Sequence, residues 1–417
     1  MLTFISRAAC LVALSAYAAH SYAELPAQWD LISSVREALR QTPQLQAAAA
    51  EVDARQSMLD ESSAWPNPRI EISIDDSVSL EQGNTGYAFS ELSVTQPIPF
   101  GRLNAESKQA RIEVSAAQAQ QRYRLLNVEK KTALLFYELQ FRSDILSLAK
   151  QRHDSLEKLM VRGKDPLVRY FSETERMRLG ILREEAHQAM SAAEGEYNEA
   201  LSQFRTLLSL PESTDPVTGP LETLPAPQSL DELLAIQAQH PLLISLQLSK
   251  QAAAAGIDVS RAQRRVDPEL KLFTTRDVYA GKEQNSTGIA VMFEIPLWLK
   301  NDRQVARARA DFQQQQAELS VQQRDLGSQL RKSHLHLQHL IEQADHYRDY
   351  ILQPAKKILQ LSQRGFRSGE IDLLNFIDAH NTYYDARSKY LMLVYDGWLE
   401  TADLRYSAGQ MLAEMAP

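Results

Sequence analysis

His334, His336 and His339 form the one histidine cluster of this 417-residue sequence. On a helix, His336 and His339 stand one turn apart on a single face and can offer two-point binding to a transition metal. No third ligand accompanies them, and solvated histidines on a helix surface account for the same spacing. Asp75-Asp76 is a carboxylate pair, placed at a strand end where it faces either a water-filled interior or an external loop. Glu184-Glu185 reads as a solvated helix face. No nucleophile stands with a base and an acid, and the sequence carries no phosphate loop or zinc motif. The residues therefore predict no catalytic, cofactor or metal site, and not an enzyme.

The elements that would position any site come in two similar copies. In the first half, Thr42-Pro43 breaks a helix and Trp65-Pro66-Asn67-Pro68 opens a strand pair that ends at Gln96-Pro97-Ile98-Pro99-Phe100-Gly101-Arg102. In the second half, His240-Pro241 leads through Val266-Asp267-Pro268 to a strand pair ending Glu294-Ile295-Pro296-Leu297, followed by Lys300-Asn301-Asp302-Arg303. Proline lacks an N–H and constrains the residue before it, so each of these points ends or restarts an element. Between them the apolar period changes from 3.6 to 2. Ile70, Ile72 and Ile74 alternate with Glu71, Ser73 and Asp75. Leu270 and Leu272 alternate with Glu269 and Lys271, and Ile289, Val291, Phe293 and Ile295 with Ala290, Met292 and Glu294. The expected strands are 69–78, 87–98, 269–279 and 287–297, with Gly83–Gly86 and Gly281–Gly288 as connecting loops. The alternation slips between Phe89 and Leu92, which predicts a bulge. Tyr87, Phe89, Phe273, Tyr279 and Trp298 read either as a membrane-interface girdle or as isolated packing residues.

The segments 28–64, 102–160, 166–210, 229–265, 303–364 and 370–409 read as helices. Leu125, Val128, Thr132, Leu135, Leu139 and Ile145 keep heptad-like spacing within the second of these. A Pro/Ser/Thr/Gly-rich linker, 211–228, separates a first repeat at 24–210 from a second at 229–417. Four strands leave two open edges, which hydrocarbon does not tolerate, so strands that cross a membrane must be pooled among protomers into a closed barrel. Three protomers give a barrel of twelve strands, within the usual even-numbered range. The expected fold is an α+β membrane protein: a duplicated α–ββ–α repeat of long coiled-coil helices with four strands per chain.

These landmarks resemble the TolC family of outer-membrane efflux proteins, and within it the outer-membrane components of heavy-metal efflux systems of the CzcC/CusC type. The Pro66-Asn67-Pro68 entry, the Gln96–Arg102 exit, Asp267-Pro268-Glu269-Leu270 and Ile295–Arg303 carry the resemblance, with the hairpin Gly365–Ala379. It covers essentially the whole mature chain. It implies a homotrimer with a 12-stranded barrel in outer-membrane lipid and a helical tunnel in the periplasm. A periplasmic adaptor and an inner-membrane RND-type pump would be its partners. The family's gate lies at the hairpin tip, whose turn here is formed by Gly365, Phe366, Arg367, Gly369 and Glu370; an adaptor contact or a solvated turn both fit these residues. The family's two acidic gate positions fall on Asn375 and Asp378, so one is an amide. Three copies of Asp378 would form a ring that favours cations. Arg162-Gly163-Lys164-Asp165-Pro166 is the equivalent turn of the first half.

Composition agrees with long helices: the chain is rich in Ala, Gln, Leu, Arg and Glu, with 7% aromatics. Its net charge of −8 points away from nucleic acid. Arg7 and the apolar run Ala8–Ala19 read as a signal peptide over 1–23, cleaved after Ala23 in Ser21-Tyr22-Ala23. Cys10 lies inside that run without the leucine of a lipoprotein signal, so the mature chain is expected to be free of lipid and cysteine. The expected function is the exit duct of a tripartite pump exporting heavy-metal cations. A multidrug or type I protein-secretion duct is the alternative, and a periplasmic coiled-coil adaptor a more distant one.

Overall fold

The structure is a computed structural model that describes residues 29–75, 89–161, 172–214, 216, 218–279, 282–293 and 302–412. Among these residues lie nine α-helices and four strands. They run in the order α1 (Leu31–Gln41), α2 (Pro43–Ser63), β1 (Arg69–Asp75), β2 (Phe89–Pro97), α3 (Arg102–Val161), α4 (Glu173–Leu208), α5 (Leu230–Gln237), α6 (Pro241–Ala262), β3 (Glu269–Tyr279), β4 (Lys282–Met292), α7 (Asp302–Tyr347), α8 (Gln353–Ser368) and α9 (Leu373–Ala408).

Local chemistry sets the helix ends. Asp30 and Ser33 form a reciprocal capping box at the start of α1, and Ser172 with Glu175 does the same for α4. Pro43 and Pro241 each occupy a first turn, where their missing N–H leaves no bond unmade. His240 also caps α6, its Nδ1 accepting the Leu242 N–H at 3.1 Å.

α3 is a single 60-residue helix, about 90 Å long at 1.5 Å per residue. It packs against α1, α2, α4, α6 and α9. Its buried residues exceed a heptad stripe for that reason: Leu126, Val128, Thr132, Phe136 and Leu139 are all under 5% exposed. One core cluster joins Phe136, Tyr137 and Leu139 to Trp29, Phe204 and Leu208; a second joins Phe141, Leu148 and Leu156 to Leu182, Leu359, Phe376 and Tyr384. Truncating such a side chain to alanine costs about 3–5 kcal/mol for an aromatic.

The expected single helix over 303–364 is interrupted. Arg348–Leu352 forms a π-helical turn in which the Gln353 N–H donates to Arg348 O. Pro354 follows at once. It offers no N–H and crowds the carbonyl four residues back, so the ladder widens by one residue ahead of it. No described helix is long and apolar enough to cross a membrane.

The 211–228 linker is docked rather than free. Gly219 O accepts from Gln140 Nε2, the Leu221 N–H donates to Asp144 Oδ2, and Trp398 Nε1 donates to Glu222 O. Leu224 sits so close to Gly397 that a Cβ there would lie 2.2 Å from Leu224 Cδ1. His334 Nε2 meets Gln228 O at 3.0 Å.

The four strands form one antiparallel sheet in the order β1-β2-β3-β4, so β2 and β3 join the two repeats. The register pairs Ile70 with Val94, Ile72 with Leu92, Val94 with Leu272 and Leu272 with Ile289. One face is therefore an apolar band of Ile70, Ile72, Leu92, Val94, Leu272, Ile289 and Val291, all exposed. The other carries Arg69, Glu71, Ser93, Thr95, Glu269 and Lys271. Lys271 Nζ lies 2.5 Å from Glu91, and Arg69 pairs with Glu269.

Three expectations about the sheet are corrected. β2 pairs with β1 residue for residue from Phe89↔Asp75 to Thr95↔Arg69, without the bulge. The 281–288 loop is strand from Lys282 onward, paired with Phe273–Tyr279. Its Gly288 reads as turn chemistry in sequence, but it sits mid-strand because Phe273 lies across it, 2.5 Å from where a Cβ would be. Phe273 is accordingly a mid-strand packing residue of the polar face rather than part of a girdle. Tyr87, Asp76, Glu294, Trp298, the Arg162–Pro166 turn and the signal segment with Ala23 lie outside the described residues.

Candidate functional site: a helical hairpin and its latch

The hairpin between α8 and α9 is built by two glycines with different jobs. Gly369 takes φ +79°, the left-handed conformation that ends α8. Its N–H donates to Phe366 O, and the Glu370 and Ile371 N–H groups donate to Gly365 O at 2.8 and 3.2 Å. Gly365 is buried because Ile371 folds over it: a Cβ there would be 2.8 Å from Ile371 Cδ1. Asp372 then caps α9 by accepting the Asn375 N–H at 2.8 Å. Phe366 and Phe376 stack across the hairpin with ring centres 5.0 Å apart.

This packing decides which residues are left outside. Leu373, Phe376, Ala379 and His380 turn inward. Leu374, Asn375, Asp378 and Thr382 form the opposite, exposed face of α9, and Arg367 and Glu370 are exposed at the turn. Asn375 and Asp378 thus share one exposed face of α9, and Arg367 and Glu370 stand exposed at the turn.

The pattern of motifs did not reveal how the hairpin is held. A row of polar contacts ties α9 to α3. His380, fully buried, places Nε2 2.6 Å from Ser155 Oγ. Arg152 donates to Asn381 Oδ1 at 2.9 Å and to Asp385 Oδ1 at 3.3 Å. The Tyr384 hydroxyl donates to Gln151 O at 3.2 Å. Burial first, and then the neighbouring Arg152 charge, push the His380 imidazole down to about 4. Residues 151, 152 and 155 and residues 380, 381, 384 and 385 are one-turn spacings on two helices. That spacing was readable in sequence, but nothing local says that the two helices meet.

The histidine cluster separates into two environments. His334 is buried at 6% exposure against the docked linker, contrary to a solvated reading. His336 is exposed and pairs with Glu400 at 2.9 Å, and His339 is exposed. Among the described residues, no three His, Cys, Asp or Glu side chains are arranged to hold a metal.

A family model described as "Outer membrane efflux protein" matches residues 34–160 and 234–410. Comparison with curated protein sequences finds no significant match. Among solved structures, CusC, described in connection with folding and transmembrane channel formation, superposes with TM-score 0.74 at 18% identity, covering 93% of this chain and 94% of that one. The Campylobacter jejuni CmeC outer membrane channel gives 0.73 at 15% identity over 91% of this chain and 85% of that one. The open state of the Neisseria gonorrhoeae MtrE outer membrane channel gives 0.71 at 17% identity, over 91% and 88%. With the family model spanning most of both repeats, and with the apolar sheet face and long helices it implies in place, the chain belongs to the outer membrane efflux protein family: it is an outer-membrane channel for efflux, its helical part extending into the periplasm.

Proposed function

We propose that this chain is the exit duct of a tripartite pump, working as a homotrimer with a periplasmic adaptor and an inner-membrane RND-type pump, and that its cargo is heavy-metal cations. The sheet carries this reading. Four strands with an apolar band on one face and unpaired edges at β1 and β4 are stable in hydrocarbon only when the edges are closed, and three copies close a barrel of about twelve strands. The polar face, with Glu71, Ser93 and Lys271, then lines water. Residues 1–23 would direct export and leave after Ala23.

Asn375 and Asp378, on the exposed face of α9, are proposed to line the periplasmic gate, with Arg367 and Glu370 at the tip toward the adaptor. The metal cargo is supported by the turn-region likeness to the heavy-metal members and by the anionic Asp378. CusC and CmeC superpose almost equally well, so the fold does not choose between cargoes. Growth of a deletion strain on zinc, cadmium, cobalt, nickel, copper and silver salts, beside detergents and antibiotics, tests the reading. Sensitivity limited to certain metals, reversed by the restored gene, is the expected result. Sensitivity to organic compounds alone would replace the metal cargo with drugs and retain the duct.

A further inference from the structure

Outside the hairpin, two histidines from different helices face one another. His153 on α3 and His187 on α4 have ring centres 5.7 Å apart, at an interplanar angle of 62°. His153 is partly covered, its side chain 19% exposed, whereas His187 is exposed. Asp154 Oδ1 lies 3.5 Å from His153 Nδ1. A carboxylate beside one ring nitrogen is a common orienting partner of a metal-ligating histidine, and Nε2 is then the ligand atom. Zinc–imidazole bonds of about 2.0–2.1 Å set two ligating ring centres roughly 5–6 Å apart, so this separation suits a shared ion. One turn from each ring stands a further carboxylate, Glu157 on α3 and Glu184 on α4. Arg183 lies between them, 3.9 Å from Glu157 and 3.7 Å from Glu184.

We propose that His153 and His187 form a two-histidine site for a divalent transition cation of the zinc, copper or nickel class, which staples α3 to α4. Imidazole suits these ions, and water completes their coordination, since the chain supplies no three-ligand cluster among the described residues. The site is therefore exchangeable rather than permanent. A bound ion would cross-link α3 to α4 beside the row of contacts by which α3 holds α9. The site does not depend on the cargo, because it uses neither Asn375 nor Asp378.

The test is titration of the purified full-length protein in detergent with Zn2+ alone, followed by calorimetry and thermal melting, with Mg2+ as control. Zinc should bind and raise Tm, and magnesium should not. His153→Gln and His187→Gln should each weaken zinc binding at least tenfold, with an unchanged melting point in chelator certifying the fold. His336→Gln should leave binding as it was. Cu2+ spectroscopy on the unaltered protein gives a second reading, in which two imidazole nitrogens are expected on one ion. Zinc binding indifferent to both His153 and His187, binding lost only with His336, or a copper signal with a single nitrogen would each overturn the proposal. A strain with no metal phenotype but a protein that passes these tests would fail the cargo reading and keep the site.

Discussion

At the scale of single residues, the hairpin divides its labour between groups that build it and groups that it displays. Asp378 is displayed: in the proposed trimer three carboxylates surround one axis, and cation preference follows from their field. Asp378→Ala should lower the cation-to-anion permeability ratio in planar bilayers, and unchanged selectivity would place the constriction elsewhere. His380 builds. In the folded chain it stays neutral down to about pH 4, whereas an undocked ring takes its proton near 6.5. The undocked state therefore binds more protons between these values. The stabilisation is complete above pH 6.5 and declines as pH falls toward 4, by up to about 3 kcal/mol. Melting at pH 7.5 and at pH 4.5 should show a larger loss in the unaltered protein than in His380→Gln; equal losses would mean that His380 does not drive it. Asp378 was singled out in sequence through the family resemblance, counted from the Gly369 tip, and its gate role is a proposal. His380, Arg152 and Asp385 were not legible, since their partners lie more than 200 residues away in sequence. Long-range pairing leaves no local trace.

At the scale of elements, periodicity found the long helices and the first three strands, but it set the fourth strand at 287–297 where the ladder runs Lys282–Met292, and it located interruptions poorly. Ile70, Ile72 and Ile74 announced β1, and Thr42-Pro43 and His240-Pro241 marked where helices end and restart. The 282–288 stretch, Lys-Glu-Gln-Asn-Ser-Thr-Gly, carries no apolar alternation, so it read as loop. Its strand character comes from the ladder to β3 and from the Phe273 ring lying over Gly288. Gly288→Val should therefore disrupt pairing even though valine favours strands elsewhere. Adding Phe273→Ala to Gly288→Val should restore assembled protein, measured as heat-modifiable oligomer on gels. Failure of the double variant would show that Gly288 is needed for its backbone instead. The π-helical turn at Arg348–Leu352 was equally hidden. Pro354 was read through as part of one 303–364 helix, and the widened turn ahead of it appears only in the folded chain, where α8 packs against α9.

At the scale of the whole molecule, the duplication was legible because both copies keep the same order of breaker, strand pair and long helix. The docking of the 211–228 segment was not, since its composition is that of any exposed connection. What holds it is the carbonyls it offers to Gln140, Trp398 and His334 from three different helices. The two repeats meet in one sheet only through β2 and β3, which leaves β1 and β4 as its outer strands. That arrangement has a genetic consequence. Each subunit of the proposed ring must offer one sound edge to each neighbour, so a chain with a spoiled edge is worse than a missing chain. Co-expressed with normal copies in equal amounts and mixed at random, it would leave roughly one assembly in eight free of defect. A proline in β4, such as Val291→Pro, should therefore behave as a dominant poison, cutting resistance in a strain that still carries the normal gene. A deletion of one gene copy, by contrast, should be tolerated.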